Sequence, residues 1–261
     1  MTPETFTRGG RTYAVYDLSD TLSNSTASFE PNPHDVTYLH PDQTVAEAER
    51  RWGLGAEFWP GGVVLQAELA TLTTHSGTHV DAPAHYGPAL AGRAMTIDEL
   101  PLSWCFGPGV LLDMRGRDRV EGIRRADVEA ELERIGHELR PLDVVLVMTG
   151  TDLRKPGYEN AHPGLRRDAT EFLVDAGVRL IGIDAWGLDR AFEVMADEAR
   201  RGEAQVWESH LLGREKPYAQ IERLANLERL PQPTGFTVYA FPFKLEGAGA
   251  AWARVVAIFD D

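Results

Sequence analysis

Residues 73–86, TTHSGTHVDAPAHY, concentrate the side chains that could do chemistry. The segment holds three of the chain's eight histidines and one aspartate, namely His75, His79, His85 and Asp81. These four positions share one parity, so an extended backbone would direct their side chains the same way, whereas a helix would separate them. Residues four apart on a strand are separated by about 13 Å, but two nitrogen ligands of one ion lie within about 4 Å. The chain must therefore curl, and Gly77 can adopt the positive φ that a curl requires.

The donor atoms in this segment suit a divalent transition metal. Two imidazoles and a carboxylate, without sulfur, are ligands that Zn²⁺, Mn²⁺ and Fe²⁺ accept. Three protein ligands leave coordination positions for water or substrate, which is typical of catalytic sites. The lone cysteine, Cys105, excludes a thiolate-rich site. The alternative interpretation is a histidine-containing surface loop, or histidines that are satisfied in the core.

Apolar patterns indicate which elements position this segment. Two helices are expected, at 125–136 and 167–178, with Asp168 capping the second, Glu171 completing a capping-box-like pair and Gly177 ending it. Apolar, β-rich runs bounded by turn residues predict strands at 61–74, 109–114, 142–150, 177–184, 235–243 and 252–259.

The order of these elements predicts an α/β or α+β fold. Strands and helices alternate in the second half, whereas the beginning and end are rich in strands, so we expect a mixed sheet or barrel-like core with flanking helices. The length of 261 residues favours a single domain that spans residues 1–261. Residues 23–43 are expected to form a long irregular stretch, and loops of that length often act as lids or binding segments.

The charge and hydropathy of the chain limit the classes of partner that we expect it to bind. The formal net charge of −14 repels phosphate backbones and anionic lipids, so neither nucleic acid nor a membrane surface is an expected partner. No apolar run approaches the roughly 18 residues that cross a bilayer. A single cysteine fits a reducing compartment. We therefore expect a cytoplasmic protein that acts on a small molecule.

The segment HSGTHVDAPAH fits the pattern H-x-G-T-H-x-D-x-P-x-H at all seven fixed positions. It resembles the signature of the metal-dependent cyclase superfamily, which includes bacterial kynurenine formamidase and isatin hydrolase. The resemblance implies a swivelling β/β/α fold, one or two Zn²⁺ or Mn²⁺ ions, and a homodimer or homotetramer. It also implies that Asp81 can bridge to a second ion and that His85 is the proton donor and acceptor. The metal ligands it implies are His75, His79, Asp81, His210 and Glu222.

The residues around Glu222 can also be interpreted without the family. Pro217 can start a helix in which Tyr218 and Ile221 lie on an apolar stripe that Glu222 borders. A carboxylate at that border needs a partner, because an unpaired buried charge is costly. The alternatives are an exposed Glu222 paired with a neighbouring arginine, and a core or capping role for His210.

The long stretch before the motif suggests a large, flat substrate. Aromatic walls suit aromatic or polyketone ligands. The alternative for each candidate is ordinary core or loop packing. The candidate substrate contacts are Phe29, Asn32, His34, Phe58, Trp59 and Trp186.

This layout resembles the branch of the superfamily that closes rings in aromatic polyketide biosynthesis. The main expectation is therefore aldol cyclisation and dehydration of an aromatic polyketide intermediate. The same donor set also supports hydrolysis of an amide or lactam, as in arylformamidase or isatin hydrolase. A third possibility is a non-catalytic, metal-stabilised module.

Overall fold

The structure, a computed structural model, describes residues 3–27, 30–90 and 92–260. The chain forms two compact units, of which the larger comprises Met1–Thr21 with Gly77–Asp261 and the smaller comprises Leu22–Ser76. Across the described part of the chain, no helix is both long enough and apolar enough to cross a membrane.

The larger unit is built on a ten-stranded mixed sheet in the order β1-β2-β12-β10-β6-β7-β8-β9-β5-β11. Its strands are β1 (Glu4–Arg8), β2 (Arg11–Asp17), β5 (His79–Asp81), β6 (Phe106–Asp113), β7 (Val144–Met148), β8 (Leu180–Ile183), β9 (Ala219–Glu222), β10 (Phe236–Tyr239), β11 (Ala250–Trp252) and β12 (Val256–Asp260). Its helices are α2 (Arg125–Ile135), α3 (Arg167–Asp175), α4 (Phe192–Arg201) and α5 (Glu208–Leu212). Strands β6 to β9 run parallel, and the other neighbours are antiparallel.

The parallel strands are apolar because both faces of the sheet are covered. In β7, Val145 and Val147 pack into the apolar cluster that contains the buried residues of α2 and α3. Val144 and Leu146 point the other way, into the second cluster of the core. The predicted α/β class with a large mixed sheet is therefore confirmed.

The smaller unit contains a two-stranded antiparallel sheet and one helix. The strands are β3 (Asp35–Leu39) and β4 (Ala67–Thr71), and the helix is α1 (Pro41–Trp52). The prediction of an irregular stretch at 23–43 is thus wrong in its second half. The predicted strand at 61–74 is also too long, because its beginning forms a 3₁₀ turn at Pro60–Gly62.

Both predicted helices in the larger unit are confirmed, with one correction. Helix α3 is capped by Arg166, whose carbonyl accepts from the nitrogens of Ala169 and Thr170. Asp168 therefore lies in the first turn, where a carboxylate favours the helix dipole, and is not the cap. Gly177 follows the helix with φ of 96°, as expected for its end.

The helix expected to start at Pro217 is wrong, because Ala219–Glu222 forms strand β9. Strand β9 pairs in parallel with β8 on one side and antiparallel with β5 on the other. All four residues are buried by this pairing. Sheet hydrogen bonds to two neighbours therefore override the helical spacing of the apolar residues.

Candidate metal centre

Strands β5 and β9 place three of the predicted ligands on one face of the sheet. In their antiparallel register His79 lies opposite Glu222. Val80 and Ile221 pack into the core on one side. Because successive side chains on a strand alternate, His79, Asp81 and Glu222 share the opposite side. All three are buried.

The imidazole of His79 has a defined orientation. Its Nδ1 lies 2.8 Å from the carbonyl oxygen of Gly77, which can only accept, so Nδ1 carries the hydrogen. Its Nε2 is then directed at two carboxylates, 3.4 Å from Asp81 Oδ1 and 3.4 Å from Glu222 Oε2. Gly77 has φ of 65°, so the curl expected at this glycine is present.

Helix α5 brings His210 to the same group. The carboxylate of Asp189 accepts from the backbone nitrogen of Ser209 at 2.7 Å and from that of His210 at 3.1 Å. Asp189 Oδ2 also accepts from His210 Nδ1 at 2.5 Å. His210 Nε2 is left 3.6 Å from Glu222 Oε1, which accepts in addition from the nitrogen of Leu188 at 3.0 Å.

His85 lies at the edge of the group, in the 3₁₀ turn Pro83–Tyr86. Its side chain is 33% exposed, and its Nε2 lies 3.9 Å from Asp81 Oδ2. One potential ligand atom from each of Asp81, His85 and His210 lies within 4.8 Å of the others. His85 is therefore close enough to serve as a ligand or as a proton carrier, and its assignment as the proton carrier stays a prediction.

The carboxylates make this site favourable for positive charge. Burial lowers the pKa of His79, but Asp81 and Glu222 outweigh that effect and raise the pKa above its ordinary value. Burial also opposes protonation of His210, yet its hydrogen bond to Asp189 raises its pKa to about 9. Two imidazole nitrogens and two carboxylates thus converge on one buried region. This donor set fits a divalent metal ion.

The other predicted site residues are less closely defined. His75 belongs to the smaller unit, where its nitrogen donates to Thr73 Oγ1 at 3.3 Å, and its role as a ligand stays a prediction. Trp186 is partly buried in the loop that follows β8.

The predicted substrate contacts of the smaller unit differ in exposure. His34 is buried, with its Nε2 2.7 Å from the carbonyl oxygen of Ser23. Trp59 donates to the carbonyl of Leu54 at 3.2 Å, whereas Phe58 and Asn32 are exposed. Phe29 lies outside the described residues. Contact of these residues with a substrate stays a prediction.

Sequence reasoning missed two residues that hold the site together. Asp189 orients His210, and its signal was an acidic residue in the loop after a buried strand. Thr78 Oγ1 accepts from the nitrogen of Asp20 at 2.9 Å and donates to the carbonyl of Arg223 at 2.6 Å. Thr78 therefore connects the N-terminal segment to the ends of strands β5 and β9. Its place in the motif alone did not indicate these contacts.

Known proteins resemble this chain in sequence. Residues 16–190 match the family described as putative cyclase. Kynurenine formamidase from Paracidovorax citrulli is 30% identical over 190 residues, which cover 71% of this chain and 76% of that protein. Kynurenine formamidase from Maricaulis maris is 29% identical over 217 residues, covering 83% and 89% respectively.

Solved structures share the fold. An isatin hydrolase bound to the product analogue thioisatinate has a TM-score of 0.73 at 19% identity, with 95% of this chain and 93% of that chain covered. Isatin hydrolase A from Labrenzia aggregata, bound to benzyl benzoate, has a TM-score of 0.72 at 21% identity, with coverage of 95% and 94%. The motif in residues 75–85, the mixed sheet that carries it and the matched relatives lead to one conclusion: this chain belongs to the putative cyclase family.

Proposed function

We propose that this protein is a metal-dependent hydrolase that cleaves the C–N bond of an amide or lactam attached to an aromatic ring. The observation that carries the proposal is the convergence of His79 Nε2 and His210 Nε2 on the carboxylates of Asp81 and Glu222. The relatives named kynurenine formamidase favour hydrolysis. Polyketide ring closure, our main expectation from the sequence, has no support among the comparisons.

The proposed ligands are His79, Asp81, His210 and Glu222, and the sequence motif adds His75 as a further predicted ligand. When bound, a divalent ion such as Zn²⁺ or Mn²⁺ supplies a Lewis acid for the carbonyl and lowers the pKa of water. The chain itself supplies the orientation of the ligands. Gly77 and Asp189 each hold Nδ1 of one imidazole, so that both Nε2 atoms face the carboxylates.

His85 is the proposed proton carrier. Hydrolysis adds water across the C–N bond, so a proton must leave the attacking water and another must reach the departing nitrogen. One imidazole can perform both transfers in sequence. His85 suits this role because it is the most exposed of the clustered side chains and its Nε2 lies 3.9 Å from Asp81 Oδ2.

The reaction can be tested by mass spectrometry with three substrates side by side, each with Zn²⁺ and with Mn²⁺. We expect isatin to gain the mass of one water as its ring opens, or N-formylkynurenine to be split by water into kynurenine and formate. A partly cyclised polyketone should remain unchanged. Loss of water from the polyketone, without hydrolysis of either of the other two, would contradict the proposal and favour ring closure.

Metal dependence needs its own experiment. We expect elemental analysis to find a divalent first-row metal in the purified protein, and His79→Ala to remove most of it. His137→Ala is the matched control, because His137 pairs with Asp143 outside the site at 2.8 Å. A wild-type protein that is fully active without metal would refute the proposal. Bound metal without turnover of any substrate would favour the non-catalytic module.

A further inference from the structure

Gln220 is a fully buried polar residue on the same face of the sheet as His79, Asp81 and Glu222. It lies in β9, directly opposite Asp81 in the register with β5, and two residues before Glu222. Side chains at opposite positions of an antiparallel pair have Cβ atoms about 5 Å apart. Gln220 is therefore a neighbour of Asp81.

A chain of two hydrogen bonds determines which way its amide faces. The carbonyl oxygen of Ser209 can only accept, so the Tyr218 hydroxyl, 2.8 Å away, must donate its single hydrogen to it. The Tyr218 oxygen then accepts from the amide of Gln220 at 2.6 Å, and only Nε2 can donate. The amide oxygen of Gln220 consequently faces away from Tyr218.

The amide oxygen of Gln220 needs a partner that donates a hydrogen bond or carries positive charge. It is buried, and none of the described residues donates a hydrogen bond to it. Burying a polar atom without a partner is unfavourable. The carboxylate of Asp81 cannot serve, because an ionised carboxylate only accepts hydrogen bonds. A cation held beside Asp81 would satisfy the amide oxygen of Gln220.

Tyr86, which packs against Tyr218 and His210, independently indicates a bound cation. Its ring stacks on Tyr218 with centroids 5.5 Å apart and meets the ring of His210 edge-on at 5.4 Å. Its hydroxyl is buried, and no acceptor for it exists among the described residues. A phenol hydroxyl carries one hydrogen that it can donate. A hydrated cation supplies what each group lacks, namely positive charge for Gln220 Oε1 and a water oxygen for Tyr86.

We propose that Gln220 is a further ligand of the metal centre through its amide oxygen, and that Tyr218 is the residue that orients it. This inference rests on the metal centre of the proposed function. Neutral oxygen ligands suit Mn²⁺ better than Zn²⁺, which imidazole already binds well. Gln220 should therefore contribute more to the affinity for Mn²⁺ than to the affinity for Zn²⁺.

The test measures dissociation constants for Mn²⁺ and Zn²⁺ by competition with a chelator at one fixed pH. We expect Gln220→Met to weaken Mn²⁺ binding by about tenfold or more, and Zn²⁺ binding by a smaller factor, since loss of a supporting group in a metal site costs about 10-fold to 100-fold. Gln220→Glu keeps an oxygen donor and should bind Mn²⁺ at least as tightly as the wild type. Tyr218→Phe releases the amide and should weaken Mn²⁺ binding. The exposed Gln205→Met is the matched control and should bind both metals normally.

Cobalt-loaded protein adds a readout that a purely structural role would not change. If Gln220→Met removes a ligand, the visible absorption of bound Co²⁺ should change in intensity, whereas Gln205→Met should reproduce the wild-type spectrum. Wild-type affinity for Mn²⁺ in Gln220→Met would overturn the assignment, as would equal losses in Gln220→Met and Gln220→Glu. If Gln220→Met does not fold, normal Mn²⁺ binding by Tyr218→Phe would overturn it. A wild-type protein that binds no metal would instead refute the proposed function.

Discussion

Asp189 Oδ2 lies 2.5 Å from His210 Nδ1 and 3.1 Å from the backbone nitrogen of the same residue. The carboxylate therefore fixes both the start of helix α5 and the ring that the helix carries. Because Nδ1 donates its hydrogen to Asp189, Nε2 is the nitrogen available to a metal. Carboxylates commonly orient metal-binding histidines in this way.

Replacing Asp189 by asparagine should lower metal affinity by about 10-fold to 100-fold. An asparagine offers one acceptor oxygen where Asp189 offers two, so its NH₂ group must face a donor in Ser209 or His210. Affinity is measured by chelator competition on folded protein. Asp143→Asn is the control, because it removes the carboxylate of another buried aspartate, Asp143, which pairs with the partly exposed His137. Equal affinities in the two variants would count against an orienting role for Asp189.

His85→Ala should keep its metal while turnover falls by about 10²-fold to 10⁴-fold, the usual contribution of a general acid–base group. The partly exposed position of His85 and its 3.9 Å separation from Asp81 Oδ2 are consistent with proton transfer. Metal content and rate are measured on the same preparation. A variant that loses metal in proportion to its activity would identify His85 as a ligand.

Thr78→Val should lower the free energy of unfolding by about 1–3 kcal/mol. Valine preserves the shape but leaves the nitrogen of Asp20 and the carbonyl of Arg223 without their buried partner, and unsatisfied buried groups cost about this much. Urea denaturation of metal-free protein measures the change. Thr78→Ser keeps the hydroxyl and should recover most of the loss. Identical stabilities for Val and Ser would show that the two hydrogen bonds contribute little.

His162 should make the fold less stable in mild acid. Burial lowers its pKa below the ordinary value of 6.5. The unfolded chain therefore binds a proton more readily, so the stability contributed by His162 is full above about pH 6.5 and is lost as pH falls towards the folded-state pKa. Between pH 7.5 and 5.5 the loss should reach up to about 1.4 kcal/mol, which is the value of one pKa unit.

His162→Leu should remove this part of the pH dependence. Urea denaturation of metal-free wild type and variant at both pH values isolates the contribution, because other titrating groups are common to the two proteins. The difference in stability between variant and wild type should shift in favour of the variant at the lower pH. A difference that is the same at both pH values would contradict the prediction.

Features that depend on neighbouring residues along the chain could be predicted from local sequence patterns. The H-x-G-T-H-x-D-x-P-x-H pattern predicted the ligand types, and Gly77 marked the curl, because only local sterics decide where positive φ is tolerated. Helices α2 and α3 followed from apolar spacing and their flanking residues. Strands β6, β7 and β8 followed from β-rich apolar runs, which suit a sheet covered on both faces.

The position of Glu222 depends on strand pairing between distant parts of the chain. The four residues of β9 are too few for their spacing to specify a strand, and their conformation comes from pairing with β8 and β5. That register places Glu222 opposite His79 and Gln220 opposite Asp81. The partnership of Asp189 with His210 likewise joins residues 21 positions apart. Such contacts depend on how distant segments pack, and local sequence patterns do not encode that packing.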